Sequence, residues 1–412
     1  MCARGELRRA LRALALIPRP GAALPPAPRP MNAAVYVHFP WCVQRCPYCD
    51  FATSAARPEV IPHDAYADAV VRELSLRLDD LGDARATTLF FGGGTPSLWE
   101  VPALARVVAA VRAAGDIDEV TVECNPTSLT ASRVSALADA GVTRLSLGVQ
   151  SLRDDHLRYL GRLHDADGAR RALRSAVAHG ALRVSADVMF GMHGQSPDAL
   201  CEDLSELVDH GIEHVSAYML TIEPETRFGE LARKGRLPRL HDDEVAAMYE
   251  RVESHLASLG FAHYEVSNYA RPGAEARHNL AYWRGDPYLG LGAAAVGCTP
   301  ERERPSWASR WRNVYDVPGY IAALAAGQRP PEERESLDPE TRAREALLLG
   351  LRAVEGVATE GVRARTGVDL RVTRAREWER ERRAGNVCDD GRRWTIPAAR
   401  WLQADGITAR LF

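Results

Sequence analysis

Residues 34–51 read Ala34-Val-Tyr36-Val-His38-Phe-Pro-Trp-Cys42-Val-Gln-Arg-Cys46-Pro-Tyr48-Cys49-Asp-Phe51. The first six form a nearly continuous apolar run of strand length, as in a parallel-sheet strand covered on both faces. A loop follows with three cysteines in eight residues, spaced C-x3-C-x2-C. Thiolates are soft ligands that suit iron–sulfur clusters or zinc. A four-iron cluster normally takes four thiolates, so three leave one iron open to a small molecule. Zinc stays open as the second reading of the loop. Its usual second cysteine pair is missing, because Cys2, Cys124, Cys201, Cys298 and Cys388 are all isolated. The spacings give no disulfide framework.

Outward from this stretch, a strand-then-helix unit recurs as far as Leu220. The strand runs are Ala34–Phe39, Thr87–Phe91, Glu119–Glu123, Arg144–Leu147, Arg183–Met189 and His214–Leu220. Helical patterns fall near 64–81, 100–114, 130–140, 167–180 and 197–210, with a sixth at 242–259. Asp64, Thr130, Asp165 and Ser196 or Asp198 sit where a side-chain oxygen caps a helix start. Such alternation predicts an α/β fold with a parallel sheet. Six units are too few for a closed eight-fold ring, so the expectation is a partial (β/α)6 barrel.

The unusual polar residues cluster at one end of these strands. The cysteine loop follows the first, Gly92-Gly93-Gly94-Thr95-Pro-Ser97 the second, and Glu123-Cys-Asn-Pro the third. Gly148-Val-Gln150-Ser151 follows the fourth, Asp187 lies in the fifth, and Tyr218 ends the sixth. The C-terminal face is where α/β barrels build their sites. The triple glycine allows close backbone approach to a ligand. It is neither G-x-G-x-x-G nor a P-loop, so a dinucleotide or triphosphate is not its natural ligand. Glu123, Gln150, Arg162 and Asp187 are the polar groups expected in the pocket. A carboxylate accepts from an ammonium or hydroxyl, and Arg162 is suited to a ligand carboxylate.

Composition excludes several classes. Apolar residues make up 46% and charged residues 26% of the 412, as in an ordinary globular chain. A net charge of −3 gives no electrostatic footprint for nucleic acid. No apolar run reaches the roughly 20 residues of a membrane helix. Residues 1–30 are Arg- and Pro-rich with one acid, Glu6. They read as a disordered tail, a segment before a true start at Met31, or a transit segment; cytoplasm is the default location.

Taken together, these motifs resemble the radical S-adenosylmethionine (SAM) enzymes. The C-x3-C-x2-C loop with Tyr48 before its last cysteine is similar to that family's signature, and Gly92-Gly-Gly-Thr-Pro to its SAM-amino-group motif. The ordered series Tyr36-Val-His-Phe-Pro-Trp-Cys, Gly-Gly-Gly-Thr-Pro-Ser-Leu, Glu-Cys-Asn-Pro, Gly-Val-Gln-Ser, Gly161-Arg162-x-His164 and the Asp187 strand spans about 34–400 with the text that follows. It is similar to the branch holding oxygen-independent coproporphyrinogen III oxidase and the HemW type of heme chaperone. The oxidase pattern carries a further cysteine where this chain has Phe51, and His278-Asn-Leu-Ala-Tyr282-Trp283 resembles the chaperones' H-N-x-x-Y-W motif. One departure is His193, in Gly191-Met-His-Gly-Gln195, where the family often has proline.

The resemblance implies a radical SAM partial barrel holding a [4Fe-4S] cluster on Cys42, Cys46 and Cys49. SAM would chelate the open iron, with one electron cleaving it to methionine and a 5′-deoxyadenosyl radical. Tyr36, Tyr48, Phe51, Gly93, Gly94, Thr95, Glu123, Gln150, Arg162 and Asp187 are the implied SAM-site residues. His278 is the implied heme ligand, imidazole being a common axial ligand. The implied function is a heme chaperone that passes heme to acceptor proteins, with an electron donor to the cluster and a homodimer as further partners. A radical enzyme acting on a porphyrinogen or another substrate is the alternative.

Beyond the barrel, 261–329 is expected to extend the sheet, with a strand at His263–Val266 and His278 near the site. Trp307 and Trp311 sit in Arg-rich text that fits either packing or a grip on propionates. Pro330–Asp338 reads as a linker. Residues 330–412 read as a small, α-rich, winged-helix-like C-terminal domain, with helices at Thr341–Ala353, Glu360–Thr366 and Arg374–Ala384, a strand at Trp394 and a last helix at Ala398–Ala404.

Overall fold

The computed structural model describes residues 31–412; the readings of residues 1–30 lie outside the described residues. Six parallel strands run where the apolar text places them: β1 (Asn32–Phe39), β2 (Arg85–Gly93), β3 (Glu119–Cys124), β4 (Arg144–Gln150), β5 (Arg183–Phe190) and β6 (His214–Met219). They pair in sequence order. Helices α1 (His63–Arg77), α2 (Val101–Ala114), α3 (Ala131–Asp139), α4 (Asp154–Tyr159), α5 (Ala166–Ala178) and α6 (Pro197–Asp209) lie between them. Thus α2 buries Ala103, Leu104, Val107, Val108 and Val111, the helical stripe that covers one face of the sheet. Thr130, Asp165 and Ser196 cap their helices through the N–H groups of Arg133, Gly168 and Ala199. Asp64 does not cap. Pro62 holds the cap position of α1, and Asp64 instead accepts from Arg106 at 2.8 Å.

The sheet does not close. After α7 (Arg227–Arg233) and α8 (Asp242–Ser258), the antiparallel pair β7 (Ala262–Glu265) and β8 (Asn268–Ala270) extends it past β6. The H-N-x-x-Y-W text forms a short helix, α9 (Arg277–Trp283). The chain then crosses to the far side, where β9 (Tyr288–Leu291) pairs in parallel with β1. From there β10 (Val296–Pro300), β11 (Ala308–Asn313) and β12 (Glu332–Leu337) run antiparallel, with α10 (Val317–Ala325) before the last. The twelve strands lie in the order β12-β11-β10-β9-β1-β2-β3-β4-β5-β6-β8-β7.

The expected linker at Pro330–Asp338 is therefore an edge strand. Its residues Glu332-Glu-Arg-Glu-Ser-Leu337 are mostly exposed. Edge strands carry charge that blunts edge-to-edge pairing, which hides them from an apolar-pattern reading. Trp311 packs: it is 1% exposed and lies under the guanidinium of Arg77, 4.5 Å away. That arginine belongs to a buried network centred on Glu73, joining α1 to β11, β12 and α10.

The C-terminal part holds α11 (Pro339–Gly350), α12 (Thr359–Thr366), α13 (Leu370–Thr373), α14 (Ala375–Arg383) and α15 (Ala404–Ala409). A three-stranded sheet of Val357–Ala358, Arg393–Thr395 and Cys388–Asp389 completes it. Trp378 and Trp394 stack at 3.9 Å in its core. Among the described residues no helix is long and apolar enough to cross a membrane.

Candidate functional site

At the C-terminal ends of β1–β6 the chain encloses a cavity of about 300 Å3. Cys42, Cys46 and Cys49 line one wall, together with Tyr48 and Phe51. Loop geometry is fixed by short bonds: Cys49 N–H donates to Cys46 O at 3.1 Å, and Ser54 N–H to Pro40 O at 2.8 Å. Burial pushes the Cys42 and Cys49 thiols up. Among the described residues no three His, Cys, Asp or Glu side chains converge as a single-ion site requires.

The glycine ridge abuts this loop. Gly94 N–H donates to Phe39 O at 2.7 Å and Thr95 N–H to Trp41 O at 2.8 Å. A Cβ on Gly94 would lie 2.5 Å from the Trp41 carbonyl oxygen, and one on Gly93, at φ +107°, 2.4 Å from the His38 ring. Only bare backbone fits between β1 and the cavity. His38 is itself held: Tyr36 OH donates to Nδ1 at 3.0 Å, and Nε2–H donates to Ala52 O at 2.8 Å.

Opposite the cysteines stand the carboxylates. Glu123 accepts from Gly93 N–H at 3.1 Å. Burial, then the neighbouring charge of Asp187, lifts Glu123 to about 8 against the pull of that N–H. Asp187 is also raised by burial, which the hydroxyls of Ser216 and Ser146 oppose. Ser146 donates to it at 3.0 Å. Arg162 donates through Nη2 to Gly148 O at 3.0 Å and through Nη1 to the Cys46 sulfur at 3.5 Å. Gln150 lies alongside, its carboxamide over Gly148. The expected SAM-site set thus lines one cavity, except Tyr36, which lies behind Gly92 and faces a second. His193 is exposed and leaves its loop closed, because Gln195 bonds Gly191 N–H and Met189 O.

That second cavity, of about 380 Å3, shares Phe51, Gly93 and Glu123 with the first. Tyr36, His38, Phe90, His278 and Tyr282 face it. His278 is 2% exposed and stacks on Phe90 at 5.0 Å. Its Nδ1 shares a hydrogen bond with Thr88 Oγ1 at 2.9 Å, and its Nε2 has no partner among the described residues. Burial, then Arg144, holds the ring at about 3, so it stays neutral. A neutral imidazole with one ring nitrogen hydrogen-bonded and the other left to a ligand is how histidine is presented to a metal.

Ser146, Met189 and the second cavity's Tyr288, Ala294 and Val296 were not singled out by sequence. Ser146 could have been found: it shares the inward face of β4 with Gly148. Tyr288, Ala294 and Val296 depend on the β1/β9 pairing, which no local pattern announces.

The family models agree with the motifs. The radical SAM superfamily model matches residues 36–207 and the HemN C-terminal domain model residues 337–402. The Bacillus subtilis heme chaperone HemW is 33% identical over 341 residues, covering 82% of this chain and 88% of that protein. The chain belongs to the HemW family. The Escherichia coli heme chaperone HemW is 40% identical over 269 residues, 64% of this chain and 69% of that protein. In fold, the chain is similar to the E. coli coproporphyrinogen III oxidase HemN, a radical SAM enzyme, with a TM-score of 0.74 at 18% identity over 93% of this chain and 90% of that one.

Proposed function

We propose that this chain is a heme chaperone that binds heme in the second cavity and passes it to acceptor proteins. The adjoining cavity would hold a SAM-chelated [4Fe-4S] cluster. The observation that carries the reading is the buried, unpartnered Nε2 of His278 at a cavity that shares a wall with the cysteine site.

The residues fit both groups. Cys42, Cys46 and Cys49 would hold three irons, and the cluster when bound supplies single electrons to the molecule at its fourth. Gly93, Gly94, Thr95 and Glu123 would receive that molecule's ammonium group, and Arg162 its carboxylate. Gln150 and Asp187 would accept from hydroxyls, with Tyr48 and Phe51 covering the site. Arg162 already donates to Cys46. In the second cavity His278 would ligate iron while Tyr36 and Tyr282 cover the porphyrin. Phe51, where a porphyrinogen oxidase pattern has cysteine, favours the chaperone over the oxidase.

In this reading residues 31–260 form the barrel, 261–329 extend it, and a small winged-helix-like unit follows β12. The protein works in the cytoplasm, with an electron donor and a second copy of the chain as partners. The test is to reconstitute the cluster without oxygen and supply heme, or SAM with coproporphyrinogen III. Stoichiometric heme binding without decarboxylation is expected. Decarboxylation without heme binding would move the chain to the oxidases.

A further inference from the structure

Gln150 adopts φ +66°, a region that side chains other than glycine rarely enter. Ser151 N–H donates back to Val149 O at 2.9 Å. An i→i+2 bond around a residue of positive φ is a γ-turn of the rare, strained kind. It coincides with a break in the β4/β5 register between Leu147 and Gln150. Strained backbone persists where its surroundings over-determine it, and it marks functional positions.

The exit of the turn is held chiefly by one side chain. Asp203, on α6, is 4% exposed. Its Oδ2 accepts from Ser151 Oγ–H at 2.9 Å and from Leu152 N–H at 3.0 Å. Its Oδ1 faces Arg153 Nε at 3.3 Å. The Ser151 hydroxyl then accepts from Arg153 N–H at 3.2 Å and from His156 Nδ1–H at 3.1 Å. The far side of the turn is held by His164, whose Nε2–H donates to Val149 O at 3.0 Å. None of Asp203, Ser151 and His156 lines either cavity. Among the described residues, every side-chain bond that Asp203 makes is to one of the three residues after Gln150. Those bonds fix the exit of the turn, and with it the placing of the Gln150 carboxamide over Gly148 beside Arg162.

We infer that Asp203 is a positioning residue for the SAM site, acting through Ser151 and Leu152 to hold Gln150 in its strained turn. The inference rests on the reading of the first cavity as that site.

The test is a double-mutant cycle on the reconstituted full chain: wild type, Asp203→Asn, Gln150→Gly and both together. Asparagine keeps the shape of Asp203 but loses its charge. Glycine adopts positive φ freely and removes the carboxamide. SAM affinity is read from the change in the cluster's EPR spectrum on titration, beside iron content and melting temperature. In the native background Asp203→Asn should weaken SAM about tenfold, the lower end of losses for residues behind a ligand shell. In the Gln150→Gly background it should weaken SAM no further, which is the coupling such cycles isolate. Ser151→Ala, which leaves the Leu152 bond intact, should give a smaller loss and covers the case in which Asp203→Asn does not fold. Equal losses in both backgrounds, or no loss with wild type binding SAM, would overturn the inference. Wild type with a full cluster and no SAM binding would instead overturn the reading of the cavity, and the inference with it.

Discussion

Arg162 and Cys46 are joined across the first cavity: Nη1 lies 3.5 Å from the sulfur, while Nη2 is anchored 3.0 Å from Gly148 O. The guanidinium thus has a fixed plane, with one edge turned to the cysteine loop. Replacing it with alanine should leave the three cysteines able to hold iron but remove the fork proposed to bind the SAM carboxylate. Arg162→Ala is expected to keep its iron content and lose SAM affinity by about 10–100-fold, the worth of a charge-assisted bond. Arg162→Lys should recover little, because a point charge does not replace a bidentate fork. Iron analysis and SAM titration check both.

The Glu123 carboxyl gives a pH signature. Burial, then Asp187, raises it from its usual 4.5 to about 8. Between those values the folded chain holds a proton that the unfolded chain has lost, so stability falls as pH rises through this window and levels off above it. The SAM-free protein should therefore melt lower at pH 8 than at pH 6, and Glu123→Gln should show a shallower decline. An ammonium group beside Glu123 pulls the value down, so SAM binding at pH 7 should release protons. Calorimetry in buffers of different ionisation heat measures that release.

Gly94 tests the join between ridge and loop. Its missing Cβ would meet two backbone carbonyl oxygens, those of Trp41 at 2.5 Å and Phe39 at 2.9 Å, and backbone cannot swing aside. Gly94→Ala should lower unfolding stability by about 1–3 kcal/mol, as overpacking does, and also weaken SAM. Urea unfolding of the cluster-free protein gives the first number.

Glu73 supports the second cavity from behind. It takes Arg77 Nε at 2.7 Å, Asn313 Nδ2 at 2.8 Å, Tyr320 OH at 2.7 Å and Gly292 N–H at 2.9 Å. Glu73 and Arg77 are both fully buried. Glu73→Ala leaves Arg77 paired with Glu332 but removes the acceptor of Asn313, Tyr320 and Gly292, and should cost about 1–3 kcal/mol; Tyr320→Phe should cost about 1 kcal/mol. Because Gly292 opens the turn that carries Ala294 into the cavity wall, the first change should also weaken heme binding.

The sequence made the parallel strands and the contents of the first cavity legible because both obey local rules. Apolar runs mark buried strands, and functional loops follow their C-terminal ends. Thus Cys42, Gly94, Glu123 and Asp187 could be placed together from order alone. The second cavity obeys no such rule. It exists because β9 returns beside β1 after the whole barrel has been built, bringing Tyr288 and Ala294 opposite Tyr36 and Phe90. The charged β12 was hidden for the opposite reason: an exposed edge needs no apolar alternation. The clamp by Asp203 links residues 52 apart through a serine that reads as an ordinary loop residue.

In the proposed function His278 offers its unpartnered Nε2 to heme iron. Anaerobically reconstituted wild type and His278→Ala should be titrated with heme while the Soret band is followed. The account predicts a stoichiometric shift in wild type and a weaker, displaced one in the variant, with iron–sulfur content unchanged. An identical Soret band and affinity in the two proteins would contradict it.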